Sequence, residues 1–260
     1  MKKKLFIIGG VGNVYFQLIY VNSFKVEYNI SNLLVSQRTR KLLGHAHFNL
    51  SAEKLLNINY SENIFSSTIF LLDLFFGKLF KKTFFTEVDL NSFKSSPLIY
   101  TLFFVGYFQD KAKINLKKNN NLIRDELARP IKRYDLTIHF RGGDFIKHDI
   151  EISPDYYSRS INLIRSKLNL DNLKIIAVTN DKIFAQRQLE NVPFKLNYSI
   201  VSDNEINDFN LMMSSRHFIA SNSTFSLIAA FERNQKGITI IPKEFFDKLL
   251  IESNDKVLGI

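Results

Sequence analysis

The second half of the chain alternates between two patterns. "YDLTIHF" (134–140) reads as a strand, "SPDYYSRSINLIRSKL" (153–168) as a helix capped by Ser153, "LKIIAVTND" (173–181) as a strand and "DKIFAQRQLE" (181–190) as a helix. The alternation continues through strand 198–203, helix 207–216, strand 217–223, helix 224–232 and strand 237–242. Strand 173–178 is apolar on both faces, so only a sheet covered on both sides can bury it. Helical crossovers between such strands pair them in parallel. An α/β fold with parallel sheets follows before any single residue is weighed. In these sheets ligands sit beyond the carboxyl ends of the strands, which makes the strand ends the places to search.

Three ends carry chemistry. "TIHFRGGDF" (137–145) places His139, Arg141, Gly142, Gly143 and Asp144 after the first strand. Thr179, Asn180 and Asp181 follow the second. Ser221, Asn222, Ser223 and Thr224 follow strand 217–220 and open a helix. A helix N-terminus offers unpaired N–H groups and partial positive charge. Hydroxyls of Ser223, Thr224 and Ser226 would add donors, and Arg141 a forked cation. Taken singly these are a cap, a turn and a surface ion pair. On one rim together they suggest a site for a nucleotide diphosphate.

The first half reads as strand 4–8, a glycine turn "GGVGN" (9–13), and a helix from about Val14. Helices over 36–44 and 62–81, a strand within 98–110 and a polar crossover over 111–130 follow. The glycine turn is not G-x-G-x-x-G, since Tyr15 stands where the third glycine belongs. It still marks a close approach of backbone to a ligand or another element. The N-terminus imitates a signal peptide, but its apolar run is short and no small-residue cleavage site follows. The apolar stretch 64–80 carries Asp73 and Lys78, which makes it a poor membrane span. A buried helix is expected there, with a helix in the membrane interface as the rival.

Charge and cysteine narrow the function. Net charge is +10. Residues 1–130 hold 18 basic against 9 acidic side chains, and residues 131–260 hold 17 against 16. The basicity thus belongs to the first half, which could face an anionic membrane or polymer. With no cysteine, disulfides, thiolate metal sites and thiol catalysis are excluded, and a reducing, cytoplasmic setting is expected. No zinc spacing, G-K-[ST] loop or G-x-S-x-G elbow is present, and Asp203-x-Glu205 is a D-x-D-like pair in a polar loop.

Motifs distributed along the chain resemble those of the bacterial α-1,2-fucosyltransferases, glycosyltransferase family 11. "GGVGNVYFQ" (9–17) is similar to that family's G-G-L-G-N-Q-x-F-Q opening, and "GYFQD" (106–110) to its middle segment. "HFRGGDF" (139–145) resembles H-x-R-R-G-D-[YF], "SPDYYSRSI" (153–161) the segment that follows, and "TND" (179–181) its S-D-D. "DFNLMMSSRHFIASNSTFSLIAAF" (208–231) is the closest match.

The resemblance implies a GT-B type fold of two Rossmann-like domains with parallel sheets covered by helices. Residues 1–130 would be the acceptor side and 131–260 the GDP-sugar-binding side. It implies metal-free, inverting transfer from GDP-fucose, with no cofactor, to a hydroxyl of a surface glycan precursor, such as O2 of a galactoside. The acceptor would be a glycan or lipid-linked oligosaccharide, with peripheral contact at the inner membrane face and no nucleic acid partner. Binding would fall to His139, Arg141, Asp208, Asn222, Ser223, Thr224, Phe225 and Ser226, with Gly10, Gly12 and Asn13 from the first half. Asp208 is the candidate guanine reader, since a carboxylate accepts from both N1–H and the exocyclic amine, and a backbone group near His139 could assist it. Arg141, Asp144 and Asp149 are the catalytic candidates. Asp149 is favoured over Asp144 and Glu151 as the base. Two departures stand out: Gly142 replaces the family's second Arg, and Leu227 replaces a Trp. The competing readings are a transferase using another nucleotide sugar and a non-catalytic glycan- or nucleic-acid-binding protein.

Overall fold

The computed structural model describes residues 3–7, 10–28, 30–34, 55–56, 61–62, 68, 71–72, 75–76, 79, 86–88, 103–105, 134–169, 172–233, 237–244 and 257–260. The chain divides into two compact units, Met1–Arg124 and Asp125–Ile260. Each contains its own parallel sheet, the composition of a GT-B type α/β protein.

In the first unit β1 (Lys3–Ile7) leads into α1 (Val11–Tyr28). Strands β2 (Ile30–Leu34), β3 (Ser61–Glu62), β4 (Thr86–Val88) and β5 (Phe103–Val105) complete the sheet. Its order is β3-β2-β1-β5-β4, and every pair is parallel. Helix α1 starts three residues earlier than the sequence suggests. Gly12 and Asn13 therefore lie in its first turn rather than in a loop. The expected helix over 36–44, the crossover over 111–130 and the "GYFQD" segment lie outside the described residues.

The stretch 64–80 departs from expectation. Thr68, Leu71–Leu72, Phe75–Phe76 and Leu79 are helical. Yet Leu72, Phe75, Phe76 and Leu79 are 51%, 65%, 43% and 64% exposed, so these four side chains are not in a core as expected. Apolar composition fixed helix type but not the direction of the apolar face.

The second unit follows the predicted alternation closely. Its strands are β6 (Leu136–Phe140), β7 (Lys174–Thr179), β8 (Asn197–Val201), β9 (His217–Ile219), β10 (Thr239–Ile241) and β11 (Val257–Gly259). Between them run α2 (Asp144–Lys147), α3 (Pro154–Leu168), α4 (Lys182–Glu190), α5 (Glu205–Ser214) and α6 (Thr224–Glu232). The order is β11-β10-β9-β6-β7-β8, all parallel. Strand β11 and the one-turn helix α2 carry too few residues to stand out as periodic segments.

Local chemistry sets the boundaries. Asp181 caps α4 by accepting from Phe184 N–H at 3.0 Å, and Asn204 caps α5 by accepting from Ile206 and Asn207 N–H. Ser153 does not cap α3 through its side chain, and Pro154 begins that helix instead. Asn169 closes it in the left-handed conformation at φ 52°. The core is built from β6 and β7 side chains against α3 and α4. Ile138, Phe140, Tyr157, Ile161, Ile164, Ile175 and Leu189 are all buried. Each such apolar side chain contributes on the order of 1.5–3 kcal/mol of burial, so the central strand β6 and its end are held firmly.

Candidate active site

The strand order locates the site. From β6 the chain moves outward to β7 and β8, then returns to place β9 on the other side of β6. The switch point of this sheet therefore lies between β6 and β9, and ligands bind beyond the carboxyl ends of strands at such a point. His139 and Arg141 stand at the end of β6, and Ser221–Ser226 at the end of β9. Ile138 pairs with Ile219, which puts the residues after Ile219 alongside the end of β6.

Beyond β6, Arg141 extends its Nη2 to Asp144, 3.0 Å from Oδ1 and 3.1 Å from Oδ2. Its Nε is buried and has no hydrogen-bond partner among the described residues. An oxyanion can satisfy that group, and a guanidinium is suited to a diphosphate. The guanidinium also lies 5.3 Å from the Phe145 ring centroid. Asp144 thus pairs with the arginine rather than with backbone N–H groups. Asp149 is exposed, at φ 52° in the turn after α2. Glu151 is exposed beside it in the chain.

Gly142 is packed tightly. A Cβ there would lie 2.8 Å from Asp181 Cβ and 3.0 Å from Phe184 Cβ. Gly143 adopts φ 60°, a conformation glycine takes without strain. The glycine pair is therefore demanded by the close approach of α4 and by the turn. The loop is tied at both ends by residues that sequence reasoning did not assign to this task. Gly142 N–H donates to Asn180 Oδ1 at 3.0 Å, and Asn222 Nδ2 donates to the Ile150 carbonyl.

Beyond β9 a chain of short polar contacts forms. His139 Nδ1 lies 2.8 Å from Ser221 Oγ, which lies 3.3 Å from Ser226 Oγ. Ser226 Oγ donates to the Ser221 and Ser223 carbonyls, each at 3.0 Å. Ser223 Oγ accepts from Phe225 N–H at 3.3 Å, capping α6. The Ser223 and Ser226 hydroxyls are thus engaged within the turn. Attraction for an anion at this helix end then rests mainly on the α6 dipole, worth roughly 0.3–1 kcal/mol at an exposed site.

Burial first, and then the neighbouring Arg141 charge, lower the pKa of His139 to about 3. The imidazole is therefore neutral at physiological pH and adds no charge to the rim. Tyr157 O–H donates to the His139 carbonyl at 3.3 Å, and Tyr156 O–H to the Ala220 carbonyl at 2.7 Å. Both tyrosines come from the first turn of α3, so that helix fixes the ends of β6 and β9 together.

Phe225 joins the remaining candidates. Its ring is 6.2 Å from His139 and 5.4 Å from Phe209, which links α6 to α5. Asp208, next to Phe209, is half-buried, and burial raises its carboxyl pKa to about 6. Its Oδ1 accepts from Asp203 N–H at 3.3 Å. Asp203 itself is committed to the α5 cap region, accepting from Asn204 N–H at 2.8 Å and Asn207 Nδ2 at 2.7 Å. Gly10, Gly12 and Asn13 belong to the first unit, at the end of β1 and the start of α1. Among the described residues nothing lies within 4 Å of a Cβ built at Gly10.

Comparison with known proteins adds the family. The model described as Glycosyl transferase family 11 matches residues 28–257. The chain belongs to glycosyl transferase family 11. It is therefore a glycosyltransferase, of the α-1,2-fucosyltransferase family. No curated protein matches the transferase. Solved structures are distant from it. An Arabidopsis thaliana FUT1 mutant in complex with GDP has a TM-score of 0.48 at 9% identity, covering 94% of this chain and 72% of that one. E. coli ADP-heptose LPS heptosyltransferase II scores 0.47 at 11% identity, covering 100% and 90%. POFUT1 in complex with GDP scores 0.46 at 10% identity, covering 92% and 98%.

Proposed function

We propose that this transferase moves fucose from GDP-fucose to a hydroxyl of a bacterial surface glycan precursor, with inversion and without a metal. O2 of a galactoside is the acceptor position we favour. The observation that carries the reading is that Arg141, at the end of β6, and the α6 N-terminus, after β9, follow neighbouring strands on either side of the switch point. In this reading the second unit binds the donor and the first unit the acceptor. Asp149 takes the acceptor hydroxyl's proton as the new C1–O bond forms on the face opposite the leaving group. The old C1–O bond breaks, and its electron pair leaves on the diphosphate, where Arg141 meets the developing charge. Asp208 reads guanine by accepting from N1–H and the exocyclic amine. The neutral His139 holds Ser221 in place.

GDP binding tests this reading. GDP is expected to raise the melting temperature where UDP and CDP do not, since a ligand stabilises only the state it binds. Affinity should fall as pH drops through about 6, because protonated Asp208 donates where it must accept. The limiting slope is about tenfold per pH unit for one proton. GDP's own terminal phosphate titrates with a pKa of about 6, like other phosphate monoesters, so Asp208→Asn provides the control. Its profile should be flatter than that of the wild type. Stabilisation by UDP but not GDP, or an unchanged slope in Asp208→Asn, counts against these assignments.

The first unit suggests where the acceptor is met. Leu72, Phe75, Phe76 and Leu79 recur at i, i+3, i+4 and i+7, one face of a helix, and all are exposed. Lys78, Lys81 and Lys82 lie in the same stretch, within the basic half of the chain. An apolar face with flanking lysines fits an anionic lipid surface. No helix among the described residues is long and apolar enough to cross a membrane. The protein should therefore sediment with vesicles of phosphatidylcholine containing phosphatidylglycerol, and Phe75→Ser combined with Leu79→Ser should abolish this. Equal sedimentation of both proteins removes this face from the reading, and a wild type that stays in the supernatant removes the membrane.

A further inference from the structure

We infer that two asparagine amides, Asn180 and Asn222, are positioning residues that hold the Arg141 loop from opposite sides, one by accepting a hydrogen bond and the other by donating one.

The loop runs from Arg141 to Ile150 and carries Arg141, Asp144 and Asp149. Residues 144 and 146–150 are exposed, so little burial holds it. Its internal bonds are short-range: Phe145 N–H to the Gly142 carbonyl, Lys147 N–H to Gly143, and Ile150 N–H to Phe145. These shape the turn but do not fix it to the sheet. Attachment to the sheet comes from outside. Asn180, at the end of β7, receives the Gly142 N–H at 3.0 Å. Asn222, at the end of β9, reaches across to the Ile150 carbonyl. One tie therefore sits just after Arg141 and the other just after Asp149.

The partner atoms fix the amide orientations. A backbone N–H can only be met by Asn180 Oδ1, and a backbone carbonyl only by Asn222 Nδ2. The two positions therefore have opposite requirements. Aspartate keeps the acceptor needed at 180. At 222 it removes the donor and sets a carboxylate against a carbonyl. A purely steric role would treat aspartate alike at both sites, since it is nearly isosteric with asparagine.

The inference rests on the proposed donor only for its kinetic readout. With GDP-fucose, Asn180→Ala, Asn222→Ala and Asn222→Asp should each lower kcat about tenfold through misplacement of the reacting groups. Asn180→Asp should keep kcat within about threefold of wild type, with the added charge appearing in KM instead. Hydrogen exchange of the 141–152 segment supplies a readout that needs no substrate. It should quicken in the three disruptive variants and stay unchanged in Asn180→Asp. If wild type does not turn over GDP-fucose, the donor reading fails, while the exchange pattern still judges the clamps. Slow exchange in Asn222→Asp, or fast exchange in Asn180→Asp, overturns the inference. Wild-type kcat in Asn180→Ala overturns it equally.

Discussion

Replacing Arg141 with alanine is expected to remove at least about 2 kcal/mol of transition-state stabilisation, roughly thirtyfold in kcat/KM, while thermal stability barely changes. The two halves of this expectation have separate causes. In the free protein the guanidinium is held by Asp144 through one nitrogen, with side-chain exposures of 31% and 53%. Exposed pairs of this kind are worth roughly 0–1 kcal/mol, so little stability goes with the side chain. Its buried Nε, without a hydrogen-bond partner among the described residues, is open to an anion. In the proposed reaction the leaving diphosphate gathers charge as the sugar departs, so the arginine is expected to contribute most at that moment. Lysine at 141 should recover only part of the activity, since it keeps the charge and loses the planar fork. Steady-state kinetics beside a melting curve checks both halves. Wild-type kcat/KM in Arg141→Ala would remove the arginine from the mechanism.

Most of the second unit was legible because its signals are local. The strand and helix patterns around the doubly apolar β7 act within a few residues, and the strand-end rule then placed His139, Arg141 and Ser221–Ser226 on one edge. What stayed hidden depends on contacts between distant segments. Asn180 and Asn222 meet partners 38 and 72 residues away, and neither spacing leaves a pattern in sequence. Ser223 and Ser226 offered hydroxyls to a ligand on paper. The fold turns them inward, because a tight turn with its own N–H and carbonyl groups takes the nearest donors and acceptors first. The stretch 64–80 shows the complementary limit. Its apolar character was readable, but whether an apolar face meets a core or a surface is decided by the rest of the unit.

Gly142 is where sequence comparison and packing answer differently. Where the resembling family has a second arginine, this chain has glycine, and the obvious repair is Gly142→Arg. The geometry argues that the repair fails. A Cβ at this position meets the Cβ of Asp181 at 2.8 Å, closer than real side chains approach, and that of Phe184 at 3.0 Å, a tight contact. Neither neighbour can yield easily. Asp181 caps α4 through Phe184 N–H, and Phe184 is part of the core on that helix. Relief must come from the loop, at the expense of the Gly142–Asn180 bond that ties it beside Arg141. Gly142→Ala, the smallest probe, should therefore destabilise the protein by about 1–3 kcal/mol and lower kcat together with stability. Gly142→Arg should do both at least as strongly, because it adds the same Cβ and a longer chain. Thermal melts and kinetics on the two variants decide the matter. If Gly142→Arg keeps the wild-type melting temperature and gains kcat/KM, the loop has room for a second cation, and the close packing against α4 does not govern this position.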